Sequence, residues 1–206
     1  VAMKRSVTQV VSRGSMVLFL LGACASIPEV KVNYRLQEES KALEGQKIYL
    51  DFRDTRKDRE LLGPGAKEEL GMFTGNFSFS VARPGERGFK IGPYDITGML
   101  QEAFRRKLVH LGARVEPAPG PDVTEVRITL QEFKLDLADR RWIASMKLEG
   151  GVVQEGKVVS AQTIEGRSER VKILGTKGAD EALGELFTDM INRLDVARLI
   201  RRAGER

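Results

Sequence analysis

Apolar and polar positions alternate from Val30 onward. Val30, Val32, Tyr34 and Leu36 are separated by Lys31, Asn33, Arg35 and Gln37, the period of two expected of a strand buried on one face. Ile48, Leu50 and Phe52 repeat the pattern against Tyr49, Asp51 and Arg53, which predicts a second strand. The period then changes. Ile96, Met99, Leu100, Ala103, Phe104, Leu108 and Leu111 recur at helical spacing. Asp95 or Thr97 can cap the start of this helix, and Gly112 can end it in a left-handed turn. Lys107 falls inside the stripe, so either the stripe is imperfect or the lysine snorkels. Residues 113–116 form a short strand, followed by a stiff turn at Pro117, Pro119 and Pro121.

Three long strands come next. Val126, Ile128 and Leu130 alternate in one phase, and Phe133, Leu135 and Leu137 in the other. A bulge near Gln131 reconciles the two. Trp142, Ala144, Met146 and Leu148 share the face of the following strand, and Glu155-Gly156 suits a tight hairpin. The return strand runs from Val158 to Ile173, broken by Gly166. A last helix covers Ala179 to Ile200, its apolar face made of Leu183, Leu186, Phe187, Met190, Ile191 and Leu194. Asp180 and Glu181 suit its positive end.

The predicted class is α+β, a mostly antiparallel sheet with two amphipathic helices packed on one face. The other face is then partly solvated or binds something. Residues 54–93 form a long insertion holding a third of the 21 glycines, with Pro64, Pro84 and Pro93. Loops of that length are functional or disordered, and the spacing of Phe77, Phe79 and Val81 fits a small projecting hairpin.

Ahead of this body lies a different kind of segment. Lys4, Arg5 and Arg13 precede the apolar run Met16-Val17-Leu18-Phe19-Leu20-Leu21, which ends in Gly22-Ala23-Cys24. A basic region, a short apolar region and small residues are the grammar of a secretory signal peptide. Leu21-Gly22-Ala23-Cys24 resembles the bacterial lipobox. That resemblance implies cleavage before Cys24, a lipidated thiol and an acylated amino group, palmitate among the chains. A transmembrane anchor needs roughly 20 apolar residues, more than the run supplies. A buried core helix fits poorly with the basic flank and Pro28. Ala25 at the next position leans towards the outer membrane. The expected organisation is a signal peptide over 1–23, a lipid-anchored tether with a candidate edge strand over 24–46, one domain over 47–200, and a basic tail over 201–206.

Charge changes the picture little. The formal +5 rests on 34 basic and 29 acidic residues. Without Lys4, Arg5 and Arg13, 31 basic residues stand against 29, a net +2. No basic stripe with aromatic platforms precedes the C-terminal arginines, which argues against nucleic acid. Arg198, Arg201, Arg202 and Arg206 read as a solvated tail able to meet anionic headgroups, worth about 1 kcal/mol per charge. One cysteine allows no internal disulfide, and His110 is the single histidine, so no Cys-His metal set is possible.

Searches for catalytic chemistry return nothing to assign. His110 has no triad partner in sequence and reads as a half-buried helix residue. No Gly-x-Ser-x-Gly elbow occurs. Gly63-Pro-Gly-Ala-Lys-Glu-Glu-Leu-Gly71 has the wrong order for a phosphate loop. Asp51, Asp54 and Asp58 are interleaved with Arg53, Arg56, Lys57 and Arg59, which favours ion pairs over a calcium loop. No catalytic residue, cofactor or metal is therefore expected. Phe73, Phe77, Phe79, Phe89 and Tyr94 crowd the insertion and read either as loop packing or as a partner-binding patch.

The strand Ile48–Asp54, Leu62-Gly63 and the helix leading into Gly112-Ala-Arg-Val115, together with the lipobox, resemble the YajG-type family of bacterial lipoproteins. In that pattern Asp51 with Arg53, or Arg53 with Asp54, fills the acidic and basic positions, and Ala113 departs from the usual aromatic. The element order also resembles auxiliary lipoproteins of envelope ABC-type transporters. Neither family implies catalysis. The expected role is a non-enzymatic, lipid-anchored binding or assembly lipoprotein of the envelope, facing the periplasm, with the membrane and an envelope protein as partners. The alternatives are an auxiliary subunit of a lipid transporter, which needs an apolar groove, and a cell-wall hydrolase, which needs two carboxylates across a cleft.

Overall fold

Strand alternation builds a five-stranded sheet in the computed structural model, which describes residues 30–71 and 95–205, with the backbone path of 77–82 and 89–94. Its members are β2 (Lys47–Asp54), β5 (Arg114–Glu116), β6 (Thr124–Ala138), β7 (Arg141–Gln154) and β8 (Lys157–Val171), in the order β5-β2-β6-β7-β8. The three long strands are antiparallel, while β2 runs parallel to both β5 and β6. Both long hairpins close through two residues at positive φ: Asp139 and Arg140, then Glu155 and Gly156. That geometry matches the strands' own twist. The register of β6 slips between Leu130 and Glu132. The bulge keeps Val126, Ile128 and Leu130 on the same buried side as Phe133 and Leu135.

Three helices cover that side: α2 (Ile96–His110), α3 (Lys177–Arg193) and α4 (Val196–Gly204). Asp95 caps α2 by accepting from Gly98 N at 2.6 Å, and Gly112 closes it at φ 90°. The single C-terminal helix expected from Ala179 to Ile200 is two. Leu194 is extended, and Asp195 restarts the helix by accepting from Arg198 N at 2.9 Å. Gln162 of β8 holds the break, accepting from Asp195 N at 3.0 Å. Arg201 and Arg202, expected in a free tail, lie in the last turn of α4. β8 likewise runs unbroken through Gly166. A side chain there would begin 2.6 Å from Met190 Sδ, so the glycine is where α3 presses on the sheet.

Lys107 of α2 is neither exposed nor snorkelling. Its Nζ donates to the carbonyls of Ile191 at 2.6 Å and Leu194 at 2.5 Å, with Asn192 at 3.4 Å. One helix thus supplies the C-terminal cap of another.

A second sheet, in the order β1-β3-β4, joins β1 (Val30–Arg35), β3 (Phe77–Ala82) and β4 (Phe89–Tyr94). The hairpin expected to project is therefore built in, with β3 parallel to β1. The outer edge of β1 lies along α3. Asp180, Gly184, Thr188 and Asn192 recur every four residues, a rise of about 6 Å. Lys31, Asn33, Arg35 and Gln37 recur every two, about 6.6 Å. The two ladders stay in step. Lys31 N donates to Asp180 Oδ1 at 2.9 Å, Arg35 N to Thr188 Oγ1 at 3.1 Å and Gln37 N to Asn192 Oδ1 at 3.2 Å. Asn192 returns a bond to Arg35 O at 2.9 Å. Helix side chains thereby satisfy a strand edge that exposed backbone groups leave open to other chains.

Burial pushes the Asp180 carboxyl up to about 6, against the hydrogen bonds from Lys31 and Thr176 that favour its charge. Its folded value lies above its unfolded one, so its protonated form stabilises the fold below pH 4, and that contribution is lost as pH rises through 6. Asp180→Asn keeps the acceptor for Lys31 N. We expect it to match the parent at pH 4 and exceed it at pH 7.5 by about 1 kcal/mol, the linkage value discounted for a group that is partly solvated. Urea unfolding at the two pH values measures this.

The insertion contains one element that sequence periodicity did not announce, α1 (Pro64–Leu70). Its own N-cap, Gly63, offers no side chain. Asp136 of β6 takes that role, Oδ1 accepting from Gly65 N at 3.1 Å and Ala66 N at 3.2 Å. Any side chain at Gly65 would begin 1.9 Å from Leu137 O. The second glycine of the run is there for this close approach, not for a phosphate.

Candidate functional site

The sheet face opposite the helices brings described side chains together in an ordered array. Alternation sends Asp51, Arg127, Lys147 and Arg167 to it. Arg127 Nε donates to Asp51 Oδ2 at 2.7 Å and its Nη2 to Glu125 Oε1 at 2.8 Å. Asp51 also accepts from Arg53 Nε at 2.9 Å. Gln131 donates to Glu149 at 3.1 Å, Lys147 pairs with Glu165, and Arg167 Nη2 lies 2.7 Å from Glu169 Oε1. The hydrogen bond Arg127 donates to Asp51 holds its guanidinium more firmly protonated, and Glu165 does the same for Lys147. Each exposed pair contributes little stability, about 0.2–1 kcal/mol. Their order fixes a pattern of alternating sign.

At the β6 bulge this face opens into a shallow cleft of about 580 Å³. Lys57, Asp58, Gln131, Glu132, Lys134 and Lys147 are among its walls. Lys134 Nζ donates to Asp58 Oδ2 at 2.7 Å and holds that carboxyl below the usual carboxylate range. A general acid needs the opposite shift. Thr55, Phe133 and Ser145 complete the lining.

The acidic residues of the β2 region take separate partners. Asp51 is shared by Arg53 and Arg127. Asp54 accepts two bonds from the Arg56 guanidinium, at 3.0 and 2.8 Å, and these hold its carboxyl low. Asp58 goes to Lys134. Arg53 is therefore bonded to Asp51, and Asp54 to Arg56. His110 is half-buried, its Nε2 2.5 Å from Gln37 O, where it pins the chain leaving β1. Among the described residues no group of three His, Cys, Asp or Glu side chains is placed to hold a metal.

Cys24 and Phe73 lie outside the described residues. Phe77, Phe79, Phe89 and Tyr94 occupy strand positions in β3 and β4. The register sets Phe77 beside Val30 and Tyr94, Phe79 beside Val32, and Phe89 beside Val81. The residues sequence reasoning missed are Arg127, Lys134 and Lys147. Each occupies a polar position of an alternating strand, the signal by which a solvated face is ordinarily discounted.

Fold and site together define a small α+β domain, with helices on one sheet face and a lattice of paired charges on the other. No helix of the described residues is long and apolar enough to cross a membrane. No family model matches the chain, and no curated protein sequence does. Among solved structures it is similar to protein XCC0632 from Xanthomonas campestris, of family-model DUF330, at 15% identity and TM-score 0.54, over 85% of this chain and 97% of that one. It is similar at a lower level to hypothetical protein CT253 from Chlamydia trachomatis (10% identity, TM-score 0.40, 78% and 99% covered). The PelC dodecamer from Paraburkholderia phytofirmans follows (8% identity, TM-score 0.31, 77% and 94% covered). The likeness to XCC0632 is one of fold, and it takes in nearly all of that chain.

Proposed function

We propose that this chain is a lipid-anchored, non-enzymatic binding or assembly lipoprotein of the bacterial envelope. Acyl chains on Cys24 hold it to the membrane, with the outer membrane favoured by Ala25. The body faces the periplasm and meets an envelope protein through the charged sheet face. The observation that carries the reading is the run Leu21-Gly22-Ala23-Cys24 at the end of a short apolar stretch behind basic residues. The YajG-type pattern over Ile48–Asp54 and Gly112–Val115 supports it, as does a described surface that pairs its charges without activating any of them. Each buried acyl CH₂ is worth about 0.8 kcal/mol, so several chains on one residue make attachment effectively permanent.

Crosslinking the protein in cells, with mass spectrometry of what it captures, tests the partner. Recovery of one envelope protein, lost when Arg127 and Lys147 are reversed to Glu, is the expected result. Recovery of lipid alone counts against the partner. For the anchor, Cys24→Ser is expected to lower the membrane-bound fraction at least tenfold and remove the acyl mass. A serine variant that still sediments with membranes as the parent does overturns the reading.

A further inference from the structure

β8 stops at Val171, two residues short of the Ile173 expected from its pattern. The connection to α3 then carries apolar side chains into solvent: Val171 is 63% exposed, Ile173 44% and Leu174 95%. Isolated exposed apolar residues need no explanation, but three within four positions form a patch. Lys172 N donates to Arg140 O at 2.8 Å, which braces the loop against the β6–β7 turn. Its rim carries exposed Lys31, Arg140 and Lys177, with Asp139 and Glu181 as exposed carboxylates.

The same end of the molecule is where the chain enters. Lys31 N is bonded to Asp180, in the first turn of α3, directly after this loop. Only five residues separate Cys24 from Val30, and the six Cα steps span about 20 Å at full extension. The far end of β8, where Val158 is also exposed, lies about 40 Å from Val171 along the strand, beyond that reach. Resting on the lipid anchor proposed above, we propose that Ile173 and Leu174 form a tip that dips into the lipid surface holding the acylated chain, with Val171 at its base and the lysines at headgroup level. The tip then fixes the body upright on the membrane and turns the charged sheet face sideways to the periplasm.

The test uses the full mature lipidated protein in vesicles of phosphatidylethanolamine and phosphatidylglycerol. Leu174→Trp places an indole on the tip, and Val158→Trp places one at the far end. The native Trp142 is fully buried and gives a constant background. The expected result is a shift of the Leu174→Trp emission to shorter wavelength by about 10 nm on adding vesicles, with at least twofold quenching by brominated lipid. The Val158→Trp emission stays unchanged. Intact mass separates the two ways to fail. A protein without acyl mass overturns the anchor and this inference together. An acylated, vesicle-bound protein whose introduced indole stays solvent-exposed overturns only the tip. Emission already shifted without vesicles, and rising with protein concentration, assigns the loop to a second copy of the chain and overturns it too.

Discussion

Replacing Lys107 with methionine lowers the free energy of unfolding by about 3 kcal/mol. Methionine keeps the aliphatic length, so the loss isolates the ammonium. The buried carbonyls of Ile191 and Leu194 then lose the ammonium, and Leu194 O keeps only Val196 N at 3.2 Å. A buried acceptor left unmade costs about 1–3 kcal/mol. Relief of the desolvated charge offsets part of this, because burying an ion is itself costly. Burial pushes Lys107 down to about 8, against the attraction of Asp195. Its folded value lies below its unfolded one, so between pH 8 and 10.5 the unfolded chain holds more protons, and the parent gains stability as pH rises through that window. The gap between parent and Lys107→Met is therefore expected to widen by about 2 kcal/mol from pH 7 to pH 10. Urea titrations of both proteins at the two pH values check the sign. A gap that narrows removes the claim that burial dominates this lysine.

Gly184→Ala is the second large effect, and its sign is opposite to that of an isolated helix. In a solvated helix, alanine is better than glycine by about 1 kcal/mol. Here the new Cβ would begin 2.4 Å from Asn33 O, and the neighbour is backbone, which cannot rotate away. Either β1 lifts from α3 or the helix shifts on the sheet. Overpacking of this kind costs about 1–3 kcal/mol beyond the propensity gain. We expect a net loss of about 2 kcal/mol. Hydrogen exchange locates it: the amides of Lys31, Arg35 and Gln37, held by Asp180, Thr188 and Asn192, lose protection first. Uniform loss of protection across β7 and β8 instead would place the strain in the sheet and refute the docking account.

These two positions show where reading the chain stops. The strands over Ile48–Phe52 and Val126–Leu148, the bulge at Gln131, the turn at Glu155-Gly156 and the helix from Ile96 were all legible. Each depends on one-sided burial or on local backbone preference, which adjacent residues reveal. The break at Leu194, α1 and the docking of β1 were not. Asp136 caps α1 from 70 residues away, Lys107 caps α3 from 84, and Asp180 meets Lys31 across 149. No local period encodes such partners.

The candidate site divides the same way. Cys24 stands out in sequence because the lipobox is read as a linear segment, and no folded context is needed to notice it. The paired-charge face and the exposed tip at Ile173–Leu174 do not, because alternating charges look like ordinary solvated positions and a strand pattern runs on past its true end. Sequence alone determined the periods and the α+β class, since these follow from neighbouring side chains. Tertiary structure alone decided which polar groups satisfy one another and which apolar ones stay wet, since a hydrogen bond or a solvent gap depends on residues brought together from far along the chain.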